Sequence, residues 1–412
     1  MADISKFDDI SKIQTYEDYI ANNITEWESE SIARVCRKIG KIGRMSKKDL
    51  EKFDSGKEAK KEWDRIVSAL AVATALNIRT LKKAYISEFE AWEKQNGYLY
   101  QYRGKKPLGV KNWALQGIIE KAVKQNGKDI LNLTNTKALS VLDKNGNPIR
   151  FQDAIYKSFG DAVKTVTEGK ADFYTTMRQT VQNLGGGGCK IDYGIVEIDG
   201  QPRRITRRLD TVVRQNMLYG IKQANNEYNE HIGEILGFDG YEISYTTNSR
   251  PTHRFMQGRQ FCIGESKEIR GKHFDGMEDT RDAESGKNVT ESLQDYNCRH
   301  EKSGIKCGVS EPRYTPEELK RLKDQDEKIY KVGNLEGDGY YFSQKMRGIE
   351  SEIRRLKGEI NSLEALGDAT SKVKATEMRK QIKVYREKYN EICNVTEIKP
   401  EYMRMTVPKG SK

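Results

Sequence analysis

Three short runs decide how this chain is read: Asn248-Ser249-Arg250-Pro251-Thr252-His253, Gln257-Gly258-Arg259-Gln260-Phe261 and Asn297-Cys298-Arg299-His300. They follow an amphipathic helix pattern and a short strand pattern. They precede Glu311-Pro312-Arg313-Tyr314-Thr315-Pro316-Glu317-Glu318-Leu319. Between Asn248 and Leu319 lie His253, His273, His300, Cys262, Cys298 and Cys307, in a chain with four histidines and six cysteines. Rare side chains among glycines and prolines mark a demanding local structure. Loop backbone without a ladder partner needs side-chain hydrogen bonds, and His253, Asn297 and His300 can supply them.

Working outward, the helix before the motifs buries Leu209, Val212, Val213, Asn216, Met217, Gly220, Ile221 and Ala224. It continues through Tyr228, Ile232 and Ile235 to a stop near Gly237, and Tyr241–Tyr245 reads as the strand that follows. Arg203, Arg204, Arg207 and Arg208 lead into this helix. Four cations at the positive end of a helix dipole need an anion close by. They are the best phosphate-contact candidates, against local pairing with Asp192, Glu197 or Asp210.

Further upstream the chain reads as helical from Tyr16 to about Gly169. Trp27, Ile32, Val35, Cys36 and Ile39 keep helical spacing. Trp63, Ile66, Val67, Leu70, Val72 and Ala73 suggest a face apolar nearly all round, as in a helix inside a bundle. A further helix carries Leu81, Ala84, Tyr85, Phe89 and Trp92 and ends at Asn96-Gly97, and another begins near Trp113. The aromatics are read as core. Asp143-Lys144-Asn145-Gly146-Asn147-Pro148 is a hairpin tip between Leu139–Leu142 and Ile149–Phe151. Helices are expected around Ile155–Val166 and near Phe173–Val181. Gly185-Gly186-Gly187-Gly188 is the clearest break. The run is followed by Cys189-Lys190-Ile191, which lacks the Gly-Lys-Ser/Thr of a phosphate-cradling loop, so a hinge or a very tight backbone contact is expected. A hairpin turning at Asp199-Gly200 follows.

Downstream, Thr315-Pro316-Glu317-Glu318 combines a helix cap, a first-turn proline and a capping-box glutamate. Met346, Ile349, Ile353, Leu356, Ile360 and Leu363 run up one helix, and Met378, Ile382, Tyr385, Tyr389 and Ile392 return after Gly367-Asp368. Spacings of three and four make this an antiparallel helical hairpin of coiled-coil character. The tail from Lys399 is expected to be strand or extended. The class is therefore α+β, in three parts: a mainly helical region 1–184, a central small-sheet α+β domain 185–314, and a C-terminal helical hairpin and tail 315–412.

At 412 residues the chain holds two or three domains and at least one sizeable core. Hydrophobic residues make up 36% and charged residues 32%, with a mean hydropathy of −0.81. No apolar run approaches the roughly 18 residues of a membrane helix. The N-terminus lacks the pattern of a secretion signal, so cytoplasmic synthesis and reduced thiols are expected. A net charge of +11 favours polyanionic neighbours, although 72 basic residues face 61 acidic ones and most can pair.

Cys298, His300, Cys307 and His253 could supply four zinc ligands, although their spacing fits no standard zinc motif. Cys298 with His253, or Cys262 with His273, would be the nucleophile–base arrangements, but no oxyanion pattern or orienting acid accompanies them. No cofactor and no enzymatic activity are implied.

The order of motifs resembles the phage minor capsid protein 2 family, relatives of the Mu-F-like head-morphogenesis proteins of tailed phages. Tyr241–Tyr245, Arg250–His253, Gln257–Arg259, Asn297–His300 and Tyr314–Leu319 carry the resemblance, and the C-terminal hairpin looks similar too. The resemblance implies a virion component inside the phage head, made in the bacterial host cytoplasm. It implies association with the portal protein and other capsid components, contact with packaged double-stranded DNA and a role in head assembly. His253, Gln257, Gly258, Arg259, Asn297, Cys298, Arg299 and His300 are then a structural motif, and Arg203, Arg204, Arg207 and Arg208 meet phosphate or portal carboxylates. The long polar stretch Ile263–Gln294 departs from the family pattern and is expected to be an irregular excursion. Two other readings compete. One is an ADP-ribosyltransferase-like enzyme or injected effector on the central domain, which an open cleft holding a desolvated glutamate near His253 or Arg214 would favour. The other is a non-specific DNA-binding accessory protein.

Overall fold

The computed structural model describes residues 8–143, 145–168, 173–198, 200–294 and 298–408. Its first half is a helical body. α1 (Asp8–Ile42) is followed by the short α2 (Lys47–Glu51) and by α3 (Ser55–Gln95). α3 is one helix of 41 residues, where the sequence suggested two. Asp54 caps it, accepting from the Lys57 amide at 2.9 Å. The apolar positions hold a single helical phase from Trp63 to Trp92, so Asn77 and Thr74 do not interrupt it. They are buried and bonded instead, Asn77 to Asn23 and Thr74 to Thr134. Val72 is 70% exposed, so the face is not apolar all round.

α4 (Gly97–Tyr102) and α5 (Trp113–Leu133) follow. Trp113 is 85% exposed at the start of α5 and forms no part of the core, unlike Trp27, Trp63 and Trp92. Trp27 donates its indole N–H to the Ile66 carbonyl at 3.0 Å, and both Trp27 and Trp63 pack edge-on to Phe151.

β1 (Leu139–Leu142) and β2 (Pro148–Arg150) form the expected hairpin. Asp143 holds its tip by accepting from the Asn145 and Asn147 amides, both at 2.8 Å, while Lys144 itself lies outside the described residues. α6 (Phe151–Thr167) and α7 (Phe173–Gly187) lead to β3 (Lys190–Ile198), β4 (Gln201–Arg208) and α8 (Leu209–Leu236). The strand order is β2-β1-β3-β4, all antiparallel, so residues 139–150 share a sheet with residues 190–208. Asp199 of the expected turn lies outside the described residues.

The four glycines are not a break. Gly185, Gly186 and Gly187 continue α7, and only Gly188, at φ +60°, ends it. The reason is a helix crossing. A Cβ on Gly185 would meet the Gly358 carbonyl oxygen at 2.4 Å, and one on Gly358 would lie 2.1 Å from the Gly185 oxygen. Two backbones touch there, the tight contact that was one of the two expectations for this run.

A small second sheet follows: β5 (Gly240–Ile243) at its centre, β6 (Gln260–Cys262) and β9 (Lys302–Ile305) at its edges. Between β6 and β9 the polar stretch is less irregular than expected. It forms the hairpin β7 (Lys267–Ile269)–β8 (Lys272–Phe274) and α9 (Val289–Leu293), which has a complete Asn288–Glu291 capping box. Met277, Val289 and Leu293 close one face of the small sheet against Tyr241, Ile243, Met256 and Phe261.

α10 (Pro316–Glu327) starts with the expected Thr315–Glu318 capping box. β10 (Tyr330–Val332) and β11 (Leu335–Gly337) form a hairpin that the sequence reading missed. Then α11 (Gly339–Leu366) and α12 (Ala369–Thr396) pair as the helical hairpin, turning at Gly367 (φ +85°) with Asp368 capping α12. Leu363 and Leu366 of α11 join the core of the helical body. The tail is not a strand: Tyr402–Met405 is a 3-10 turn with Arg404 and Met405 buried. No described helix is long and apolar enough to cross a membrane.

Candidate functional site

The motif residues meet at one end of the small sheet. The loop from Ser244 to Arg259 leaves β5 and returns as β6, and the run Cys298–Glu301 enters β9 across the same end. Ile243 donates to the Arg259 carbonyl at 3.0 Å and accepts from the Gly258 amide at 2.9 Å. Ser244 donates to the Glu301 carbonyl at 2.9 Å. Gly258 sits at φ +67°, and a Cβ there would lie 2.3 Å from Leu319 Cδ2. Its conformation favours glycine, and a side chain there would also displace Leu319.

Pro251–His253 is a single 3-10 turn that carries His253 inward. His253 and His300 are buried, with ring centroids 5.4 Å apart. Cys298, partly exposed, has its Sγ 3.5 Å from His300 Nδ1. The ligand atoms of His253, Cys298 and His300 all lie within 4.8 Å of one another, and these three are the one such group among the described residues. Burial, then the neighbouring His253, Lys222 and Arg250, push the His300 imidazole down to about 3, so it is neutral at physiological pH.

Cys307 is not in this group. Its amide donates to Asp239 Oδ1 at 2.6 Å and its thiol lies against the Asp239 carbonyl, in a small cluster with Cys262 and Ile305. The tight approach of Gly240 holds it there, with only 2.6 Å between Sγ and the place of a Gly240 Cβ. His273 is exposed on β8 beside Glu268 and Asp275, whereas Cys262 is buried with its thiol toward the Glu265 and Phe274 carbonyls. Asn297 lies outside the described residues.

A second centre went unnoticed in the sequence. Asp326 of α10 is buried and accepts from Tyr245 Oη at 2.7 Å, the Asn248 amide at 2.9 Å and Gln257 Nε2 at 3.3 Å. Gln257 Oε1 in turn accepts from the Thr246 amide at 3.1 Å and faces His300 Nε2 at 2.9 Å. One carboxylate therefore fixes the loop that carries the motif. Leu319, Leu322 and Asp326 keep a three-then-four spacing on one face of α10, and that was the available signal. Arg254 pairs with Asp338 at 2.6 Å, and Arg259 donates to the Phe255 carbonyl and pairs with Asp275.

The four arginines lie on the strand that leads directly into α8. All lie on β4, and only Arg208 reaches the first turn of α8. Arg208 is largely enclosed, its side chain 12% exposed, between Glu28 (2.7 Å) and Asp210 (3.2 Å). Burial alone would lower its guanidinium, but the two carboxylates outweigh burial and raise it. Arg204 pairs with Asp192, and Arg207 lies over the Tyr193 ring and donates to Gln215. Arg203 and Arg204 remain exposed.

Behind the motif runs a buried charged network. Arg214 meets Asp18 at 3.0 Å, Arg354 meets Asp210 at 3.3 Å, Arg347 bridges Glu350 and Glu401, and Arg404 pairs with Glu401. It ties the C-terminal turn and α11 to α1 and α8. Glu17 lies within it, near Arg299, Arg404 and Arg214, and neither of its oxygens has a hydrogen-bond partner among the described residues. This is a desolvated glutamate near Arg214, but at 1% exposed it is enclosed rather than set in an open cleft. Two clefts lie elsewhere on the described residues. One of about 540 Å³ is lined by Lys121, Asn126, Tyr219 and Glu227, and one of about 450 Å³ by Lys357, Ile360, Arg379 and Ile382.

A helical body, a small sheet covered by its own loops and a long helical hairpin make up an α+β fold. The family model for phage minor capsid protein 2 matches residues 13–394, nearly the whole chain, and the chain belongs to that family. It is a structural phage protein and a component of the capsid. No curated protein and no solved structure is a significant match to the chain.

Proposed function

We propose that this minor capsid protein sits inside the head at the portal, with its basic surface toward packaged double-stranded DNA. In this reading the region 1–184 and the C-terminal hairpin 315–412 form the frame, and the central region 185–314 carries the contacts. The observation that supports the reading best is the β3–β4 hairpin. At and beyond the irregularity between Asp192 and Ile195 it presents Tyr193, Ile195 and Val196 to solvent, with Ile195 69% exposed. Opposite Ile195 and Val196 in register stand Arg204 and Arg203. Exposed apolar side chains flanked by arginines suit a protein partner and a phosphate backbone at one surface.

The DNA half of the proposal has a direct test. Replacing both Arg203 and Arg204 by Gln leaves the Arg208 pairing with Glu28 and Asp210 untouched, so folding is preserved. Each phosphate contact adds about 0.9 to the slope of log affinity against log salt. The double variant is expected to weaken binding to arbitrary duplex DNA and reduce that slope by about two. An unchanged slope would remove these arginines from the DNA-facing surface.

A further inference from the structure

We propose that His253, Cys298 and His300 form a zinc site that clamps the β5–β6 loop to the segment entering β9. Tetrahedral zinc, with bonds of about 2.3 Å to sulfur and 2.0–2.1 Å to nitrogen, holds a sulfur and a nitrogen ligand about 3.6 Å apart. Cys298 Sγ and His300 Nδ1 already stand 3.5 Å apart. All three ligand atoms lie within 4.8 Å of one another, so His253 completes the set by an adjustment of about 1 Å on its 3-10 turn.

The hydrogen bonds around the group fix which nitrogen faces the ion. The Thr246 backbone amide can only donate, so the Gln257 atom it meets at 3.1 Å is the carbonyl oxygen Oε1. That oxygen can only accept, so His300 Nε2, 2.9 Å away, carries the proton and donates. Nδ1 is therefore the unprotonated nitrogen, and it is the one that faces Cys298 Sγ. A metal-binding histidine whose other N–H is held by an acceptor is the usual outer arrangement of zinc sites. Here Asp326 holds that acceptor by its amide end, through Gln257 Nε2. Gln257 is thus a positioning residue.

Two imidazoles and a thiolate are a donor set suited to zinc, and the partly exposed Cys298 leaves the fourth position to solvent. The loops joined have few ladder bonds of their own, so the ion would contribute folding energy to this end of the sheet.

The test begins with the full-length wild-type chain purified without chelator, with zinc measured per chain by elemental mass spectrometry. One zinc per chain is expected. Replacement by cobalt is expected to give a thiolate-to-metal charge-transfer band, absent in Cys298→Ser and kept in Cys307→Ser. Gln257→Ala is expected to weaken zinc binding 10- to 100-fold, with its far-ultraviolet circular dichroism unchanged. A wild-type chain that takes up no stoichiometric zinc or cobalt overturns the site, whatever the variants do. So does a cobalt band that survives Cys298→Ser or disappears in Cys307→Ser.

Discussion

Asp210→Ala is expected to lower the stability of the chain by about 3–5 kcal/mol, the usual cost of removing one partner from a buried ion pair. Asp210 is 3% exposed and faces Arg208 at 3.2 Å and Arg354 at 3.3 Å, with Arg214 also near. Burial works against its charge, yet the three guanidinium groups outweigh burial and hold its carboxyl below the ordinary range. Without it Arg208 keeps Glu28, but Arg354 loses the one ion pair it makes among the described residues. Denaturant unfolding of the wild type and the variant measures the cost. A loss below about 1 kcal/mol would mean that water reaches these arginines and that the network is not what joins α8 to α11.

Glu17→Gln is expected to act in the opposite direction, and only at neutral to alkaline pH. Burial, only partly offset by Arg299, Arg404 and Arg214, pushes the Glu17 carboxyl from 4.5 up to about 7. The folded state therefore holds this proton more tightly than the unfolded chain does. The stability it contributes is fully present below pH 4.5 and is lost as pH rises through about 7. A shift of that size corresponds to roughly 3 kcal/mol. The amide cannot ionise, so the variant is expected to exceed the wild type by about that amount at pH 8–9 and to match it near pH 4. Unfolding curves at both pH values decide it. Equal gains at both would show that Glu17 is destabilising for a reason other than its charge.

Legibility in the sequence followed the range of the forces involved. The α11–α12 hairpin was readable because its apolar residues keep one period along each helix and its caps, Gly367 and Asp368, are local, as is the Thr315–Glu318 capping box of α10. The β1–β2 turn was readable because Asp143 serves its own neighbours. What was misread depends on residues far apart in the chain. The glycine run looks like a break until Gly358 is set against it, and Arg208 looks like a free cation until Glu28 arrives from α1. The length of α3 depends on Asn77 and Thr74 finding partners on α1 and beyond the end of α5.

The motif itself divides in the same way. The clustering of His253, Cys298 and His300 was suggested by their scarcity, and Cys307 was added by proximity in sequence alone. In space Cys307 belongs to Asp239 and Gly240. Asp326, the carboxylate that orders the loop, stands in the charged run Lys323-Asp324-Gln325-Asp326-Glu327, where composition hides it.

The central proposal is a capsid component held at the portal, and the most direct measurement is co-purification with the portal protein of the same phage, with stoichiometry read by native mass. A stable complex with a few copies of this chain per portal ring is the predicted result. A chain that remains soluble on its own beside an assembled portal, with no measurable affinity for it, would contradict the account.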